Sequence, residues 1–200
     1  SPLTREVESL DQVFWYVDAL AARAALNHSA FCRQALVGGF YELLGRESFE
    51  PNPDFYAALL FKQLMGPTVL RARVVGNATR MLRVWAQCQS PGLVTLLLLN
   101  LANDTDYQVP VDSLGVPGLA GAKRYDYELT AASTDNAGGL TSRRIALNGA
   151  LLQPGPAGQI PSLSAHALDQ TGNPLIVVRR HSVLFVTLED TAAEACYPQR

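Results

Sequence analysis

Apolar and polar positions along the chain follow two different rhythms, with the change at Pro67. Before it, Ser9-Leu10-Asp11-Gln12 has the capping-box form, Gln standing three positions after Ser. From Val13, apolar residues recur at Phe14, Val17, Leu20, Ala21, Ala24 and Ala25, so a helix with one apolar face is predicted, with Trp15 read as part of its core. Phe31–Val37 is short and apolar and ends at Gly38-Gly39, as a buried strand does; Cys32 within it reads as a buried thiol. Asn52-Pro53-Asp54 then supplies an N-cap followed by Pro at the first helical position. The helix it opens has Phe55, Tyr56, Leu59, Leu60 and Leu64 on its apolar face and stops at Gly66-Pro67.

After Pro67 the period is two and helical spacing disappears. Val69–Val75, Met81–Cys88, Leu93–Leu101, Tyr107–Val111, Arg124–Leu129, Arg144–Leu147, Leu175–Arg179 and Ser182–Leu188 all read as strands. Turn signals separate them, among them Gly76-Asn77, Pro91-Gly92 and Gly172-Asn173-Pro174. Asn148-Gly149 is a type I′ hairpin signal. Short strands in this number predict an antiparallel sandwich or open barrel. Helix–strand–loop–helix, by contrast, is the unit of an α/β protein, and here it is too brief to close a sheet. The first part reads as an unfinished fold.

Composition narrows the class. With 48% hydrophobic and 17% charged residues the chain is too apolar to be intrinsically disordered. A net charge of −2 argues against a dedicated nucleic-acid binder. No apolar run approaches the roughly 18–20 residues of a membrane span. Three glycosylation triplets occur, beginning at Asn27, Asn77 and Asn103. Cys88 and Cys196 are placed so that a bridge between them would tie down the chain end, leaving Cys32 over. Their spacing fits no zinc pattern, so no metal site is expected. A secreted or lumenal protein is the compartment these features favour.

Catalytic motifs are scarce. Neither G-x-S-x-G, Walker A, G-x-G-x-x-G nor H-E-x-x-H occurs, and His28, His166 and His181 are scattered. Gly38-Gly39 followed by Tyr41 reads either as a tight turn with a half-buried aromatic or as a substrate loop. At a barrel strand's C-terminal end, glycine lets a ligand approach and a Tyr hydroxyl can bond a sugar. Arg71, Arg73, Arg80 and Arg83 form either a polyanion-attracting stripe or the solvated face of a sheet. None of the glutamates, Glu42 included, stands at the end of a buried strand, where a glycosidase carboxylate is needed.

Specific strings then carry a resemblance. Phe14-Trp15-Tyr16-Val17-Asp18, Cys32-Arg33-Gln34, Gly38-Gly39-Phe40-Tyr41-Glu42-Leu43-Leu44 and Phe49-Glu50-Pro51-Asn52-Pro53-Asp54-Phe55-Tyr56 occur in order, followed by Leu59-Leu60-Phe61-Lys62-Gln63-Leu64-Met65-Gly66. With Leu82-Arg83-Val84-Trp85-Ala86-Gln87-Cys88, Ile145-Ala146-Leu147-Asn148-Gly149 and Ala195-Cys196, the chain resembles the heparanase family, glycoside hydrolase family 79, nearest its plant heparanase-like branch. The resemblance implies an α/β plus all-β fold: residues 1–66 as the C-terminal end of a (β/α)8 TIM barrel, residues 67–200 as an antiparallel β-sandwich domain. It implies a retaining β-glucuronidase whose two glutamates lie upstream of Ser1, so that no catalytic residue is expected here and the piece alone is expected to be inactive. It implies that Gly39 and Tyr41 contact the glucuronic acid, with Phe40 where the family has Asn, and that Cys88 and Cys196 are paired.

The partners expected are a polysaccharide or proteoglycan glycan and the missing N-terminal barrel portion, with peripheral membrane or cell-wall association possible; neither a cofactor nor nucleic acid is expected. The compartment is extracellular or the lysosomal or vacuolar lumen. A free-standing, non-catalytic glycan-binding sandwich is the alternative, and a related barrel-plus-sandwich glycosidase with another sugar preference is a third.

Overall fold

The computed structural model describes residues 9–39, 41–119, 121–132 and 139–197, without the side chains of Asn77 and Thr79. They form two compact units: Ser1–Phe61 with Leu129–His166, and Lys62–Glu128 with Ala167–Arg200. The helices are α1 (Leu10–Ala25) and α2 (Pro53–Leu64). The strands among the described residues are β1 (Thr68–Leu70), β2 (Leu82–Ser90), β3 (Leu93–Asn100), β4 (Tyr107–Pro110), β5 (Lys123–Ala131), β6 (Ile145–Leu147), β7 (Ala150–Leu151), β8 (Leu168–Asp169), β9 (Leu175–Val178) and β10 (Ser182–Glu189).

In the first unit, α1 buries Leu10, Val13, Phe14, Tyr16, Val17 and Ala21, close to the stripe its spacing predicts. Its start differs from the expected capping box. The Ser9 hydroxyl makes no cap bond and donates instead to Asp11 Oδ1 at 2.6 Å. Asp11 Oδ1 then accepts the Gln12 N–H at 2.8 Å, so the acidic residue, not Gln12, secures the first turn. Trp15 is 54% exposed and is not core, because it lies off the Leu10–Phe14–Val17–Ala21 line.

Phe31–Val37 is not a strand. It makes one isolated parallel bridge, Val37 to Leu44, because no described strand lies alongside to complete a ladder. Exposure nevertheless alternates along it, with Phe31, Arg33, Ala35 and Val37 half-buried and Cys32, Gln34 and Leu36 exposed. The Cys32 thiol is therefore free and exposed, not buried. α2 begins on Pro53 as expected and buries Tyr56, Ala57, Leu60 and Leu64.

The β6–β7 hairpin turns on Asn148 and Gly149, at φ of 50° and 83°, the two positive values of a type I′ turn. A Cβ on Gly149 would meet nothing within 4 Å, so only backbone strain opposes a side chain there. Gly149→Ala is expected to lower stability by about 1 kcal/mol in a denaturant titration.

In the second unit antiparallel pairing runs β1-β2-β3-β10-β5, with β8 also on β5, while β4 and β9 form a separate two-stranded sheet. β5 continues into the first unit, where Leu129 pairs with Leu147 of β6. β3 and β10 are buried at nearly every position, which explains why Leu96–Leu99 is a continuous apolar run and not an alternating one. Ala86, Leu96, Leu98, Leu184 and Val186 share a core with Ile176 and Val178 of β9, and Tyr107 and Val109 of β4 pack against it. Arg124 and Asp126 form a buried, bidentate pair on β5, and Arg124 Nη1 donates to Leu175 O at 2.8 Å, tying β5 to β9.

The expected strand Val69–Val75 is shortened to β1. Its register sets Leu70 against Ala86, and carrying that register three residues on would place Arg73 opposite Arg83. The ladder stops short of that point, at Leu70, and Arg71, Arg73, Arg80 and Arg83 are all exposed. At the other end of β1, a Cβ on Gly66 would lie 1.9 Å from the carbonyl oxygen of Cys88, so only glycine lets the chain enter the sheet this closely. Cys88 is bonded to Cys196, with Cα atoms 5.3 Å apart.

Candidate functional site

The chemistry-bearing residues of the first unit gather between the Phe31–Val37 segment and the start of α2. Glu42 is 5% exposed and organises the turn that follows Gly38. Its Oε2 accepts the Gly39 N–H at 2.5 Å and its Oε1 accepts the Arg46 N–H at 2.9 Å. The Glu42 carbonyl accepts Asn52 Nδ2 at 2.7 Å. The carboxylate thus neutralises main-chain donors that a short loop leaves unpaired. Gly39 consequently spends its N–H on Glu42, and what it offers a ligand is the lack of a side chain. Tyr41 is 45% exposed, and Phe40 lies outside the described residues.

Beneath the turn, the side chain of Arg33, a residue half-buried as a whole, is almost wholly covered, with an exposure of 4%. Its guanidinium carbon sits 4.5 Å from the Tyr16 ring centre and 5.3 Å from that of Trp15. Nη2 is ion-paired with Asp54 in the first turn of α2 and also donates to the Tyr41 carbonyl at 3.0 Å. Nε and Nη1 have no hydrogen-bond partner among the described residues. Burial pushes the Asp54 carboxyl up to about 6, against the opposing pull of Arg33 and of its own and Phe55 main-chain N–H groups. Burial also raises the Tyr16 phenol, which faces both members of the pair, and takes the buried Tyr56 phenol up to about 12.

Of the residues singled out from sequence, Gly39 is half-buried and Tyr41 exposed, on either side of Phe40. Asn27 and Asn103 are exposed, Asn103 Oδ1 lying 2.8 Å from His181 Nε2, whereas the Asn77 side chain lies outside the described residues. The sequence gives no functional role to Arg33 or Asp54, and Glu42 enters it only as a glutamate off any strand end. Arg33 and Asp54 are separated by a loop, so no local spacing signals their pairing.

Each unit also has a cavity. A cleft of about 1160 Å³ in the first unit is lined by Glu42, Arg46, Asn52, Tyr56, Arg143 and Gln153 among others. An apolar cavity of about 940 Å³ in the second lies against Leu82, Val84, Leu96, Leu98, Tyr107 and Val109. Tyr41 lines neither. Among the described residues no three His, Cys, Asp or Glu converge as a metal site, and no helix is long and apolar enough to cross a membrane.

No family model matches the chain. Individual proteins do. Baicalin-beta-D-glucuronidase of Scutellaria baicalensis is 37% identical over an alignment covering 92% of this chain and 33% of that protein. Heparanase-like protein 1 of Arabidopsis thaliana is 39% identical, covering 92% and 37%. Mouse heparanase is 35% identical over 78% of this chain and 29% of its own length. The chain is a homologue of heparanase and the heparanase-like proteins. This heparanase-like chain spans about a third of the length of these relatives. Among solved structures, the glycoside hydrolase family 30 subfamily 8 xylanase Xyn30A of Clostridium acetobutylicum matches 91% of the heparanase-like chain and 40% of its own. The TM-score is 0.55 at 12% identity, a likeness of fold.

Proposed function

We propose that this chain is the C-terminal part of a secreted, retaining β-glucuronidase of glycoside hydrolase family 79, acting on glucuronic-acid-containing glycans. The observation that carries the reading is the similarity over 92% of the chain to proteins named baicalin-beta-D-glucuronidase and hyaluronoglucuronidase. On this reading residues 1–66 are the last helix–strand–helix portion of a (β/α)8 barrel. Residues 67–200 are the β-sandwich domain beside it. The one-sided exposure of Phe31–Val37 supports this, since a barrel strand presents alternate residues to the barrel interior and to the outer helices. The likeness of fold to the xylanase supports it too.

Retaining hydrolysis needs two carboxyl groups about 5–5.5 Å apart, one as acid and base and one as nucleophile. Both belong to the part of the protein upstream of Ser1. This chain contributes the Gly38–Tyr41 turn, where Gly39 leaves room for the sugar and the exposed Tyr41 hydroxyl bonds it. Asn27, Asn77 and Asn103 carry N-linked glycans, and the protein works outside the cell or in a lysosomal or vacuolar lumen.

The test is turnover of an aryl β-D-glucuronide by the full-length protein and by its Tyr41→Phe variant. The variant is expected to lose about tenfold in kcat/KM, the worth of one hydrogen bond to a sugar hydroxyl. Glucuronide binding without any turnover by the parent would favour a non-catalytic glycan-binding module instead. Equal kinetics for parent and variant would return Tyr41 to a half-exposed turn residue.

A further inference from the structure

We infer that Arg33 is a positioning residue that holds Tyr41 against the sugar, an inference that rests on the glucuronidase reading above. A guanidinium is costly to bury, and packing alone is served better by an apolar side chain of similar volume. Here the charge is kept, and its directional bonds go to two places. One is Asp54, fixed in the first turn of α2. The other is the main-chain carbonyl of Tyr41, at 3.0 Å. The rings of Trp15 and Tyr16 hold the guanidinium in place from α1. Arg33 therefore links both helices of the first unit to the backbone of a residue whose own side chain is exposed.

Glu42 fixes the turn on either side, through the main chains of Gly39 and Arg46, while the Tyr41 carbonyl is met by Arg33. Loss of this bond frees the peptide plane next to the Tyr41 side chain and moves its hydroxyl. A displacement of an ångström at a substrate contact is costly to turnover. Lysine at position 33 would keep a charge for Asp54. Its ammonium lacks the planar guanidinium that packs on the Trp15 and Tyr16 rings and so holds Nη2 between Asp54 and the Tyr41 carbonyl.

The experiment is a double-mutant cycle in the full-length enzyme, combining Arg33→Lys with Tyr41→Phe and reading kcat and KM on an aryl β-D-glucuronide. Arg33→Lys is expected to lower kcat/KM about tenfold when Tyr41 is present and to have almost no further effect in the Tyr41→Phe background. Equal losses in both backgrounds would overturn the positioning role while leaving the glucuronidase reading intact. No loss from Tyr41→Phe itself would overturn both. Should Arg33→Lys fail to fold, Asp54→Asn, which keeps the guanidinium but loosens its anchor, is put through the same cycle and read by the same criterion.

Discussion

Cys88→Ser in the full-length protein is expected to lower stability by about 4–5 kcal/mol and the melting temperature by several degrees. The bridge joins residues 108 apart, and in the chain-entropy model a loop of that length restricts the unfolded chain by about this amount. In the native state the bond fastens the short helical turn at Glu194–Cys196 to the inner face of β2. Both cysteines are buried there, at 3% and 7% exposure, so a serine also brings an unpaired hydroxyl into an apolar core. Cys196→Ser should cost nearly as much, and the double variant no more than either single one, because one bond is lost in each case. Thermal denaturation of the three variants beside the parent decides it. Unchanged melting temperatures would show that the core alone holds the turn.

The second expected result is a pH dependence centred on Asp54. Its carboxyl titrates near 6 in the fold against an ordinary value of 3.8. A raised carboxylate works against stability when ionised. Above pH 6 the folded state bears a penalty of about 3 kcal/mol from this group. As pH falls from 6 towards 4, the buried carboxyl takes up a proton before the unfolded chain does, and the penalty disappears. The groups facing it are the Arg33 guanidinium and the Tyr16 phenol, and neither attraction nor repulsion from them exceeds the cost of burial. Denaturant titrations of the parent and Asp54→Asn at pH 7, 6, 5 and 4 measure this directly. The gap between them should move in the parent's favour by about 2–3 kcal/mol as pH falls. A gap that stays flat would refute the burial account.

Elements whose signals are local were legible in the sequence. Asn148-Gly149 needs positive φ at two successive residues, and that requirement is written in two letters. Pro53 at the start of α2 and the run Leu93–Asn100 belong to the same kind. What was not legible depends on partners distant in the chain. Trp15 lies beside the apolar stripe of α1, and one face of its ring is met by Arg33, a residue on a different segment. Phe31–Val37 has the composition of a buried strand, yet a strand exists only where a neighbour pairs with it. The apolar alternation of Val69–Val75 runs past Leu70, where pairing with β2 stops, and the local sequence does not mark that end. At the candidate site the turn residues Gly39 and Tyr41 were visible as a string. The buried charges beneath them were not, because ion pairing across a loop leaves no periodic trace.

The position of β10 between β3 and β5 has a consequence for how the chain is made. Val183 to Leu188 complete a ladder with Val94 to Leu99, residues synthesised some time earlier. Until Ser182–Glu189 have left the ribosome, the apolar strand β3 has one long edge unpaired. A nascent chain in that state is poised to join a neighbouring copy, edge to edge.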